Sequence, residues 1–190
     1  ALAKAKGTMD DGRATQIHNE IQALPGLVGR ALTSFDCIRP IAHSLSQARS
    51  ALYLGRGTLY PLALEGALKL KELSYIHAEG FASGEMKHGP IALIEDGLPV
   101  VALLAADEII AKASSNLREA AARGAHIILI TEEKVLSEVD FADAIVTVPN
   151  VDPLLSPILL AVPAQILAYL TALEKGTDVD QPRNLAKSVT

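Results

Sequence analysis

Four short, mostly apolar runs, Ala51–Leu54, Leu98–Leu104, His126–Ile130 and Ala144–Val148, alternate along the chain with longer segments whose apolar residues recur every three or four positions. Runs that stay apolar without alternation are those of strands covered on both faces. A strand, a helix and a further strand in succession imply parallel pairing. The pattern predicts an α/β fold, a three-layer α/β/α sandwich around a mainly parallel, flavodoxin-like sheet, with a helical lead-in and an irregular tail. Helices are expected from Asp10 or Asp11 to about Leu24, from Leu27 to Thr33 beyond a break at Pro25-Gly26, and from Ile38 to Ala48. Others are expected to begin at Pro61 and to cover Asp107–Arg123 and Leu154–Lys175, with Gly124 and Gly176 as stops. Leu64, Ala67, Leu68 and Ile76 are the expected core positions of the helix that begins at Pro61.

This divides the chain into a helical lead-in (1–48), one α/β domain (49–175) and a tail (176–190) whose low apolar content cannot pack by itself. The first seven residues read as the last turns of a helix that starts upstream, and with no initiator Met the chain is expected to be part of a longer protein.

Composition narrows the function classes. A chain of 190 residues with 49% apolar and 21% charged residues suffices for one well-buried domain. Its net charge of −5, without a basic cluster, argues against nucleic acid as a partner. The apolar run from Leu154 to Leu173 is interrupted by Ser156, Pro157, Pro163 and Gln165, which predicts a buried helix and no membrane partner. Cys37 is the only cysteine, so no intrachain disulfide forms and a reducing, cytoplasmic location is expected. No metal-ligand spacing or dinucleotide fingerprint appears, so neither a metal nor a cofactor is expected.

The candidate chemistry gathers between Leu64 and Pro90. Glu65, Lys69 and Glu72 are spaced by four and three residues, which puts one ammonium between two carboxylates on a single helix face. Such a trio is a solvated ladder on most helices, or here an acid/base group with Glu72 as general base, facing a ligand cleft expected beyond the carboxyl ends of the strands. After Tyr75 the pattern gives way to a polar, glycine-rich stretch containing Gly80, Ser83, Gly84, Glu85, Lys87, His88, Gly89 and Pro90, read as a long loop. Within it His88 is the best proton carrier near neutral pH, and His77 lies close by. The turn Gly55-Arg56-Gly57-Thr58 before a helix suits either a phosphate or a tight strand-to-helix connection. Lys187, the only lysine of the tail, can form an imine with a carbonyl if the tail closes over a pocket.

The segments LEGALKLKELSYIHAEGFASGEMKHGP and DQPRNLAKSVT give the chain a resemblance to the C-terminal portion of the glucosamine-6-phosphate synthase family, running from near Gln22 to the end. The resemblance implies the second of two sugar-isomerase (SIS) halves. The missing parts would be a glutaminase domain and the first SIS half, which carries the Ser/Thr-rich loop that grips the sugar phosphate. It further implies conversion of fructose 6-phosphate and glutamine-derived ammonia to glucosamine 6-phosphate. Glu72 would then move a proton between C1 and C2, and Lys69 would lie near the sugar hydroxyls. His88 would open the ring from the neighbouring subunit of a homodimer. Lys187, beside Ala186 in the substrate-binding tail, would hold the open-chain ketose as an imine. Alone, the chain would be an incomplete and inactive site. The rival expectation is a non-catalytic, sugar-phosphate-binding SIS module.

Overall fold

Side chains alternate along the strands, so each run of apolar residues feeds two cores at once. Leu52, Leu54, Val100, Ala102, Leu104, Ile127 and Leu129 face one side of the sheet, and Ala51, Tyr53, Val101, Leu103, Ile128 and Ile130 face the other. The computed structural model describes residues 2–184. Its five-stranded sheet has the order β2-β1-β3-β4-β5, with every pairing parallel. The strands are β1 (Ser50–Gly55), β2 (His77–Ala82), β3 (Pro99–Leu104), β4 (His126–Glu132) and β5 (Ala144–Val148). The helices are α1 (Leu2–Ala5), α2 (Asp11–Leu32), α3 (Phe35–Ser46), α4 (Tyr60–Ser74), α5 (Ile110–Ala121) and α6 (Ser156–Glu174). One core is closed by α2, α3, α4 and α6, the other by α5 and the short turns after β2 and β4. The predicted α/β/α sandwich is the observed architecture.

Three expectations are corrected. Pro25 does not interrupt the lead-in, because α2 is continuous from Asp11 to Leu32 with the proline inside it. An internal proline costs about 3 kcal/mol of helix propensity. Leu24, Leu27 and Val28 on either side of it pack against the core and offset that cost. The stretch after Tyr75 is not all loop, because His77–Ala82 is an edge strand paired along its whole length with β1. An edge strand needs only one neighbour and one covered face, so it carries no unbroken apolar run. The inward stripe of α4 is also shifted. Leu62, Ala63, Gly66, Ala67 and Leu70 are buried, whereas Leu64 and Leu68 are exposed; Ile76 is buried but lies beyond the helix. Small residues line the inner face because the sheet comes close there. A Cβ on Gly66 would stand 2.7 Å from the Tyr53 ring, and one on Gly80 would stand 2.9 Å from the backbone of Ala63.

Gly124 (φ +91°) and Gly176 (φ +70°) sit just past α5 and α6 in the left-handed conformation, as expected of helix stops. By length and composition α6 could cross a membrane, yet here it is the core helix, packed against α2, α3 and α4.

Candidate functional site

All the strands run the same way, so the molecule has a strand-carboxyl end and a strand-amino end. In doubly wound sheets ligands lie beyond the carboxyl ends, at the point where strand order reverses. Here that point lies between β1 and β3, and it holds an open cleft of about 710 Å³. Gly57 and Thr58 of the β1–α4 turn, Asp107 and Ile109 after β3, Leu154 before α6, and Arg13 of α2 contribute to its lining. The turn itself accounts for its glycines: a Cβ on Gly55 would stand 2.2 Å from the Leu59 carbonyl oxygen, and Gly57 has φ +58°.

Around this cleft the buried charges are already paired. Glu132, fully buried at the end of β4, accepts hydrogen bonds from the Ala106 N–H (2.9 Å), the Val151 N–H (3.3 Å) and the Ser156 hydroxyl (2.9 Å). Lys134 stands 3.6 Å away as its counter-ion. One carboxylate therefore ties together the loops after β3 and β5 and the start of α6. Asp152 receives both Nη atoms of Arg13, and its own N–H donates to Glu20 Oε2 (2.6 Å), which fastens α2 over the same end. Burial alone would raise the Asp152 pKa. Hydrogen bonds from Arg13 and the Leu154 N–H, with the charges of Arg13 and Lys134, outweigh it and hold the group below the ordinary carboxylate range. Nothing in the sequence marked Glu132 or Asp152 for these roles, since one closes a strand and the other follows one, as ordinary acidic residues at strand ends do.

Contrary to the expectation from the sequence, the acid/base trio does not face this cleft but lies at the other end of the sheet. α4 runs back from the carboxyl end, and Glu72, twelve residues past Tyr60, stands about 18 Å down its axis at 1.5 Å per residue. Glu72 is thus remote from the strand-end cleft. Lys69 Nζ donates to Glu72 Oε2 at 2.7 Å and lies 3.7 Å from Glu65. The side chains of Lys69 and Glu72 are 33% and 26% exposed, so the pair is reachable but sheltered. Leu64 and Leu68 leave an apolar edge beside it. The hydrogen bond to Glu72, aided by both carboxylate charges, raises the Lys69 pKa above the ordinary lysine value despite partial burial. This amine stays protonated and is a poor imine former.

The chain returns to this place after α6. The Thr177 hydroxyl donates to the Leu73 carbonyl (2.6 Å), and the Arg183 N–H donates to Tyr75 Oη (2.9 Å). The Arg183 guanidinium lies 4.1 Å from the Tyr75 ring centroid, a cation–π contact. Tyr75, in the left-handed conformation (φ 61°), ends α4 one turn past Glu72. The tail is therefore held as far as Arg183, whereas Ala186 and Lys187 lie outside the described residues. His88 is found in the turn after β2, exposed, with Nδ1 2.7 Å from Glu85 Oε2. The six residues of β2 separate it from the Glu72 end by about 20 Å at 3.3 Å per residue. Within one chain His88 and Glu72 do not meet. His77, at the start of β2, pairs with Glu79 (3.2 Å). Among the described residues no cluster of His, Cys, Asp and Glu could hold a metal.

Residues 44–175 match the model of the SIS domain family. The chain is 49% identical along its whole length to a glutamine–fructose-6-phosphate aminotransferase (isomerizing) of Brucella abortus, and 50% identical to the protein of that name in Zymomonas mobilis. It spans 32% and 31% of the length of those relatives. Among solved structures, the C-terminal domain of glucosamine-fructose-6-phosphate aminotransferase from Francisella tularensis superposes with a TM-score of 0.90 at 40% identity. That match covers 95% of this chain and 51% of the other.

Proposed function

The chain belongs to the SIS domain family, and from that premise we propose that it is the C-terminal half of the isomerase region of a glutamine–fructose-6-phosphate aminotransferase, making glucosamine 6-phosphate in the cytoplasm. The observation that carries this reading is the half-sheltered Lys69–Glu72 pair, to whose end of α4 the tail is tied through Thr177–Leu73 and Arg183–Tyr75. Lys187 follows Asn184 by three residues, a reach of about 10 Å of extended chain.

In this mechanism the Lys187 amine condenses with the C2 carbonyl of open-chain fructose 6-phosphate and water leaves. Ammonia then displaces the lysine to give the protonated C2 imine, whose nitrogen already carries the two hydrogens of the product amine. Glu72 takes a proton from C1, forming a planar enolamine, and returns it at C2 as the O1 proton is lost and the C1 aldehyde forms. One carboxylate beside a planar intermediate reaches both carbons, so no second base is needed. Lys69, held protonated by Glu72, stabilises charge developing on O1. His88, oriented by Glu85, opens the ring in the site of a second copy in a homodimer, a reading supported by its distance from Glu72 within its own chain. The sugar phosphate and the ammonia come to this face from the first SIS half and the glutaminase domain of the longer protein.

Glu72→Gln in the intact protein is expected to lower kcat for glucosamine 6-phosphate formation by roughly 10²–10⁴-fold, the usual worth of a positioned base. Full activity of that variant would end the assignment. The rival reading is a non-catalytic sugar-phosphate-binding module that uses the strand-end cleft. Borohydride reduction in the presence of fructose 6-phosphate separates the two: the enzyme becomes labelled on Lys187, and a reversible binder does not.

A further inference from the structure

On the face of the sheet opposite α4, a cavity of about 400 Å³ opens between the β1–α4 turn, the turn that carries His88, and α5. Arg56, Lys87 and Lys112 line it together with Ser115, Asn116 and Glu119. Spacings of three and four residues put Lys112, Ser115, Asn116 and Glu119 on one face of α5. Only Lys87 is neutralised there, through Glu119 at 2.7 Å. Among the described residues neither Arg56 nor Lys112 has a carboxylate within ion-pair distance. The Arg56 guanidinium lies against Gly84, where a Cβ would come within 2.8 Å of Nη1, so the glycine lets it rest on the His88 turn. Asn116 Nδ2 is buried and has no acceptor.

Three cations against one carboxylate form a surplus of donors that an anion would satisfy. We propose that this cavity binds a phosphate dianion, held by the Arg56 fork and the Lys112 and Lys87 ammonium groups. Charge-assisted bonds from a planar guanidinium suit a tetrahedral oxyanion, and the cavity is large enough to admit one. The bound ion joins α5 to the turn that bears His88, and so fixes that turn. The site stands apart from the isomerase reading, because none of its lining residues takes part in the proton transfer or the imine.

Inorganic phosphate titrated calorimetrically into the intact protein tests it, comparing the native protein with Arg56→Gln, Lys112→Gln and the distant Lys6→Gln. Lys112 is exposed on α5, so its replacement leaves the fold intact even if Arg56→Gln disturbs the β1–α4 turn. The expected result is a phosphate-binding step that Lys112→Gln weakens about tenfold, that Lys112→Arg retains and that Lys6→Gln leaves unchanged. Identical isotherms for the native protein and Lys112→Gln would overturn the proposal. Such a failure would leave the Glu72→Gln result untouched.

Discussion

At the carboxyl end of the sheet the buried charges have all found partners: Glu132 gathers two backbone N–H groups, a hydroxyl and Lys134, and Asp152 takes the fork of Arg13. At the amino end Lys69 and Glu72 are bonded to each other but remain a quarter to a third exposed, on a helix face edged by Leu64 and Leu68. Sheet topology points to the first place, since open α/β sheets bind ligands beyond the strand ends. The pair on which the proposed chemistry rests lies at the second. A buried carboxylate that accepts three hydrogen bonds is a structural tie, because moving a proton there would leave donors unpaired. A sheltered pair with one open side can exchange a proton with whatever covers it.

The comparison breaks most sharply on two carboxylates. Glu72→Gln should remove roughly 10²–10⁴ of kcat while leaving the thermal midpoint of the intact protein near its native value; a large drop in that midpoint would make Glu72 another tie. Glu132→Ala should do the reverse. It strands the donors of Ala106, Val151 and Ser156 and is expected to cost roughly 3–5 kcal/mol in urea unfolding. A loss below about 1 kcal/mol would show that water replaces the carboxylate without penalty.

A subtler contrast is in pH. Because Asp152 titrates below its unfolded value of about 3.8, its contribution to stability is complete above that pH and is lost as the pH falls through its lower folded value. Unfolding in that window takes up a proton at this site. Asp152→Asn should therefore flatten the acid limb of the stability profile by up to one proton, measured as the pH dependence of the unfolding free energy. An unchanged slope would mean that the Arg13 pair does not hold in solution.

The smallest effect expected is that of Tyr75→Phe. It removes the acceptor for the Arg183 N–H but keeps the ring beneath the guanidinium, which should loosen the tail by about 0.5–1.5 kcal/mol. Faster cleavage by protease between Thr177 and Arg183, with the domain intact, is the readout. Equal cleavage rates would show that the ring contact alone holds the tail.

Much of this architecture was legible in the residues. The runs at Ala51, Leu98, His126 and Ala144 became β1, β3, β4 and β5, because a strand covered on both faces must be apolar throughout. The segment His77–Ala82 was not legible, since an edge strand has no such requirement. Pro25 misled, because local propensity counts one lost hydrogen bond and cannot count the packing of Leu24, Leu27 and Val28. Leu64 and Leu68 misled in the same way: helical spacing fixes which residues share a face, and only the closeness of Tyr53 and Gly80 decides which face turns inward.

The sequence by itself therefore determined the parallel sheet, its helical layers and the pairing of Glu65, Lys69 and Glu72, all set by periodicities of two and of three to four along the backbone. Only the tertiary structure decided that this trio lies at the strand-amino end, that the tail returns to it, and that His88 stands at the opposite end of β2. Those facts depend on which way each element runs through space, and contacts between residues a hundred positions apart leave no trace in local spacing.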